Sequence, residues 1–189
     1  IQITNISDNS FTVSWITDKE SIGFISFGET ANLGETVYDD RDQGVGQLRF
    51  THYVSLKTLN PEKVYVYKIS SDDKLYQQKT ASTLSKTPSL PWSVYGSIRT
   101  ASGKVPKEAL VYLNLGKGTL LSGFTRDGNW LITLTNVGVD IGSEDKMDIT
   151  VKSSEGTGQF STNTASGSIP DITLTDISQV STKYSSAYD

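Results

Sequence analysis

His52 is the only imidazole in the 189 residues, and cysteine is absent. Metal sites built on histidine pairs or thiolates are therefore excluded, and so are disulfides. A serine–histidine–carboxylate mechanism would need His52 exposed beside an activated hydroxyl, and no G-x-S-x-G elbow occurs. His52 instead shares an alternation with Phe50, Val54 and Leu56, which places it on the interior face of a strand or at its edge, in a structural role. Two acidic segments remain. Asp39-Asp40-Arg41-Asp42 and residues 140–148 both fall in predicted loops, where carboxylates can converge on Ca²⁺; in the second, Asp140, Glu144, Asp145 and Asp148 are the candidate ligands. Neither has the D-x-[DN]-x-[DN]-G spacing of an EF-hand, so solvated loop charge is the default reading. Paired carboxylates for glycoside hydrolysis converge in space rather than in sequence, and nothing here singles out a pair. The chemistry-bearing residues thus predict no enzyme, no cofactor and no catalytic residue.

The formal net charge is −4, from 17 basic and 21 acidic residues spread evenly along the chain, so neither half offers a basic footprint for nucleic acid. No apolar run reaches the ~18 residues of a membrane-spanning helix and no signal peptide is present. The chain opens mid-strand at Ile1 without a methionine, which reads as a piece of something longer. Its length accommodates two domains of about 90 residues each.

Positioning falls to β-strands. Residues 1–6 and 10–17 read as two strands about a turn at Ser7-Asp8-Asn9, with Phe11, Val13 and Trp15 on one face and Trp15 as core anchor. Strands follow at 23–28, 36–38, 48–56, 64–70 and 75–82. A tyrosine just after a Leu-x-Pro turn can return its hydroxyl to the turn backbone, and Tyr65, after Leu59 and Pro61, is placed to do so. Residues 83–91, TLSKTPSLP, lack periodicity and read as a short linker favouring an elongated pair with restricted bending. A second pattern then runs through 94–98, 109–113, 120–125, 130–134, 148–153, 158–162 and 172–174, with Asp127-Gly128 as a strong hairpin signal. Trp92 and Trp130 sit at strand starts where an indole is expected half exposed; they pack against the neighbouring module or, alternatively, serve carbohydrate or peptide binding. The polar tail, 176–189, is either a connector or a strand that pairs with a neighbour.

Two resemblances follow. Trp15-Ile16-Thr17-Asp18, Ile25-Ser26-Phe27-Gly28 and His52-x-Val54-x-Leu56-x-x-Leu59-x-Pro61-x-x-x-Tyr65-x-Tyr67-x-Ile69 make residues 1–82 resemble the fibronectin type III fold, in the variant found at the N-terminus of purple acid phosphatases and in bacterial surface proteins. Val94-Tyr95-Gly96-x-Ile98, Gly103, Ala109 to Leu113 and Thr125-x-Asp127-Gly128-x-Trp130 make residues 92–175 resemble the carboxypeptidase regulatory-like or transthyretin-like family, with Glu108 where that family has glycine. The isopeptide cross-link of the related collagen-adhesin repeats has no matching lysine, asparagine and acidic positions here.

The expectation is an all-β chain: two immunoglobulin-like β-sandwich domains in tandem, 1–82 and 92–175, joined by the Pro/Ser/Thr linker. The resemblances imply non-catalytic structural or interaction modules of a prokaryotic surface or extracellular protein, spacing or assembling surface structures. Their partners would be protein, copies of the chain or neighbouring domains, with glycan as a further candidate; nucleic acid and membrane insertion are not expected. The alternatives are a glycan- or protein-binding adhesin fragment, or accessory domains of a larger extracellular hydrolase.

Overall fold

The computed structural model describes residues 1–71, 74–80 and 93–175. The linker at 83–91, Trp92 and the tail at 176–189 lie outside them.

The first sandwich pairs a sheet of β1 (Gln2–Thr4), β2 (Phe11–Ile22) and β5 (Leu48–Leu56), in the order β1-β2-β5, with a sheet ordered β4-β3-β6-β7. The latter strands are β3 (Phe24–Gly28), β4 (Glu35–Tyr38), β6 (Val64–Ile69) and β7 (Tyr76–Lys79), all antiparallel to their neighbours. Alternation puts Phe11, Val13, Trp15, Val54 and Leu56 from one sheet against Ile25, Phe27, Tyr65, Tyr67 and Ile69 from the other, which closes the core. Each such side chain contributes about 1.5–3 kcal/mol by leaving water. The Tyr65 hydroxyl accepts the Asn60 N–H at 2.9 Å, so the tyrosine corner expected after Pro61 is formed.

The second sandwich has a sheet ordered β10-β9-β12-β13 facing one ordered β11-β8-β14. Its strands are β8 (Ser93–Arg99), β9 (Leu110–Asn114), β10 (Leu121–Phe124), β11 (Asn129–Thr133), β12 (Lys146–Ser153), β13 (Gly156–Asn163) and β14 (Ile172–Thr173). Its core includes Val94, Ile98, Val111, Leu113, Trp130, Ile132, Met147, Ile149 and Ile172. The β10–β11 turn carries φ of 50° at Asp127 and 75° at Gly128, with Arg126 and Asn129 exchanging backbone bonds of 2.8 and 2.9 Å. Two consecutive positive φ values define the tight hairpin turn that Asp-Gly favours. β14 runs parallel to β8, pairing Ile172 with Ile98. Among the described residues no α-helix occurs and no helix is long and apolar enough to cross a membrane.

Candidate functional site

The outward faces of two strands should be wet, and they are not. In β2, Thr12 and Ser14 point away from the core yet are as inaccessible as the core residues between them, and Thr51 and Tyr53 of β5 behave alike. Covering them are Leu110 and Tyr112 of β9 and Ser122 and Phe124 of β10, residues whose strand neighbours Val111, Leu113 and Leu121 fill the second core. Parts of β2 and β5 in the first sandwich and of β9 and β10 in the second are thus buried on both faces. The elongated pair expected from the linker is not what forms: the sandwiches lie side by side, because these outer faces carry enough apolar and bonding groups to be worth burying.

The contact is polar and satisfied. Asn5 donates its backbone N–H to Leu120 O at 2.9 Å, and its side-chain oxygen accepts Ser122 N–H at 3.0 Å. The Asn5 amide nitrogen donates to Tyr53 OH at 2.8 Å, Tyr53 donates to Ser122 O at 3.0 Å, and the Thr4 and Ser122 hydroxyls meet at 2.6 Å. Ser14 and Tyr112 share a hydroxyl bond of 2.8 Å. Burial pushes the Tyr112 phenol up to about 12, against the opposing pull of Ser14. The Tyr53 ring packs edge-on to Phe124 at 5.1 Å, supplying the apolar centre together with Leu110.

Beside this lies a buried ionic cluster. Asp39 holds Arg41 through Nε and Nη2, both at 2.7 Å, and also accepts Tyr53 N–H at 2.7 Å. Asp42 accepts Arg49 Nε at 2.8 Å and Gln47 N–H at 2.9 Å. Both guanidiniums face Glu108 of the second sandwich, at 3.6 and 3.9 Å from Oε2. Glu108 Oε1 accepts two backbone N–H groups of the first sandwich, Phe50 at 2.7 Å and Thr51 at 2.8 Å. Charge-assisted bonds of this kind are about twice as strong as neutral ones, and their desolvated charges cannot be left unpaired. At the margin Lys107 pairs with Glu20, which sits where β2 bulges out of register between Ile16 and Ser21.

The first acidic segment is therefore no solvated loop: Asp39 and Asp42 are each 2% exposed. The second segment does lie at the surface. Asp145 takes Lys117 at 2.6 Å and Gly142 N–H at 2.7 Å; these bonds hold its carboxyl below the usual range. Asp148 takes Ser161 at 2.6 Å and Lys146 at 2.9 Å, with the same effect on its carboxyl. Glu144 accepts Asn163 at 3.4 Å, and Asp140 is exposed. Among the described residues no group of three or more histidine or acidic side chains is arranged to hold a metal.

His52 is wholly buried, stacked on Trp15 at 4.9 Å between ring centroids. Its Nε2 lies 3.1 Å from both Thr17 Oγ1 and Ser21 Oγ, while Nδ1 has no partner among the described residues. Burial lowers its pKa, which favours the neutral ring. Its neighbour must be glycine: a Cβ on Gly23 would fall 2.2 Å from Nδ1. Trp130, expected half exposed, is buried at 3% because its strand turns the indole into the second core.

Next to the junction the sandwiches leave a cleft of about 1060 Å³, with Thr12, Asp40, Ser55 and Lys57 on one wall and Tyr95, Arg126, Asn129 and Leu131 on the other.

The class these features define is an all-β protein of two sandwiches docked through a buried polar interface. No family model and no curated protein matches the chain. Among solved structures it is similar to the FN1–FN3 domains of chicken CNTN1, with 13% identity over 93% of this chain and 64% of that one and a TM-score of 0.30. The sandwich architecture rests on the strand pairing itself. The chain spans less than two thirds of that structure's length.

Sequence reasoning missed Asn5, Arg41, Arg49, Tyr53 and Glu108 as interface residues. The usable signal was Glu108, an acid where the resembled family has glycine.

Proposed function

We propose that this chain is a non-catalytic structural and interaction module of a prokaryotic surface or extracellular protein. In this reading residues 1–82 and 92–175 fold as two sandwiches that act as one stiff spacer. The observation that carries it is the Glu108 carboxylate, which closes two backbone N–H groups of the other sandwich in front of Arg41 and Arg49. Hydrogen bonds that are buried and mutually satisfied fix a relative orientation, because turning one sandwich against the other would strand charges out of water. A spacer with that property transmits position and load instead of swinging.

Denaturant unfolding followed residue by residue through amide signals tests the stiffness. Signals from Val54 and from Val111 should vanish at one midpoint; two well-separated midpoints would show that the sandwiches behave as independent beads. The non-catalytic reading is tested by assaying phosphomonoester and glycoside hydrolysis, where no turnover is expected.

A further inference from the structure

The cleft beside the junction is built from both sandwiches, and its volume of about 1060 Å³ is just above the roughly 300–1,000 Å³ typical of small-molecule sites. On its second-sandwich wall Tyr95 and Leu131 are cross-strand partners of β8 and β11, 50% and 59% exposed, so together they present a flat apolar step to solvent. Around that step stand groups that donate and accept: Ser97 bonded to Asn129 at 3.0 Å, Ser168, and the Arg126 guanidinium, which lies 5.5 Å over the Phe124 ring and has no ion-pair partner among the described residues.

The other fixed charges cancel locally, Asp40 against Lys57 at 3.4 Å and Asp171 against Arg99 at 3.2 Å. Among the described residues a polyanion would therefore find one free cation at the cleft, too few for a charge-driven site. An extended peptide adding to β11 is disfavoured as well. The Leu131 carbonyl lies only 3.3 Å from where a Cβ on Gly123 would stand, so β10 already covers that edge. What remains is a ligand with an apolar face and a rim of uncharged hydroxyls.

We propose that this cleft binds an uncharged oligosaccharide, one pyranose ring laid with its C–H face on Tyr95 and Leu131 and its hydroxyls bonded by Arg126, Asn129 and Ser168. The aromatic supplies the dispersion contact, and the amide, guanidinium and hydroxyl groups match a rim that both donates and accepts. Because the opposite wall belongs to the other sandwich, the site is complete only while the junction is closed.

The test is an amide chemical-shift titration of the full chain with cellotetraose, chitotetraose, xylotetraose and mannotetraose, each to about 10 mM. At least one should perturb Tyr95, residues 129–133 and Ser168 together. Tyr95→Ala should then weaken binding about tenfold with the melting temperature retained, whereas Leu48→Ser, exposed elsewhere on the first sandwich, should leave it unchanged. Silence with all four sugars overturns the proposal, as does binding indifferent to Tyr95→Ala. The site rests on the closed junction, yet the two tests fail separately: silence with all four sugars at a single unfolding midpoint removes the sugar site alone, and separated midpoints with Tyr95-dependent binding retained remove the stiff spacer alone.

Discussion

Residues 39–42 and 140–148 are both short, acidic and located between strands, yet one is interior structure and the other surface. In the first, each buried carboxylate meets an arginine and at least one backbone N–H, and the guanidiniums reach across to Glu108. In the second, Asp145 and Asp148 meet lysines that keep much of their own surface in water. Carboxylate density therefore says little about role. Arginine, with a planar fork that tolerates desolvation, accompanies the buried cluster; lysine, a compact and strongly hydrated charge, accompanies the exposed one.

That contrast is broken most severely by Asp39→Ala, which strands Arg41 and the Tyr53 N–H in the interior. It should cost about 3–5 kcal/mol of unfolding free energy in a urea titration. Glu108→Ala removes the acceptor of the Phe50 and Thr51 N–H groups and should cost about 2–4 kcal/mol, with separation of the two unfolding midpoints. Glu108→Gln keeps an acceptor oxygen and should fall between that variant and the parent; equal effects of the two would mean that the charge, not the bond geometry, sets the junction.

Acidification probes the same region with a smaller effect. His52 has a lowered pKa in the folded chain, so between that value and its ordinary 6.5 the unfolded state binds more protons. Its contribution is therefore fully present above 6.5 and lost as the pH falls towards the folded value. A melting temperature that drops over that window, with part of the drop absent in His52→Gln, is the expected result; a profile identical in both chains would contradict it. At the weak end, Asp145→Asn and Asp148→Asn should leave the melting temperature nearly unchanged, since both pairs lie at the surface where water screens them. Millimolar calcium should also leave it unchanged. A calcium-dependent rise abolished by Asp145→Asn would turn the second segment into a binding loop and remove the contrast.

Much of the architecture was readable along the chain. Period-two alternation located Phe11, Val13 and Trp15 and the strand with His52, Val54 and Leu56; Asp127-Gly128 announced its turn and Tyr65 its corner. All of these depend on neighbours within a few residues or on one face of one strand, and such local rules are written in residue order. The junction was not readable. Thr12, Ser14, Thr51 and Tyr53 have the composition of a solvated face, and whether they meet water or Tyr112 and Ser122 depends on partners up to 98 positions away.

Residue order by itself thus determined strand identity, inward faces and the absence of thiol or paired-imidazole chemistry. Only the tertiary structure decided that Asp39, Arg41 and Glu108 are interior, that the sandwiches lie side by side, and that a cleft opens between them. The reason is physical: hydrophobic periodicity reports the first burial of a strand, whereas a second burial, on the polar face, is favourable only when every donor, acceptor and charge there finds a counterpart on another surface. That matching is a property of two surfaces in space, and no single stretch of chain contains it.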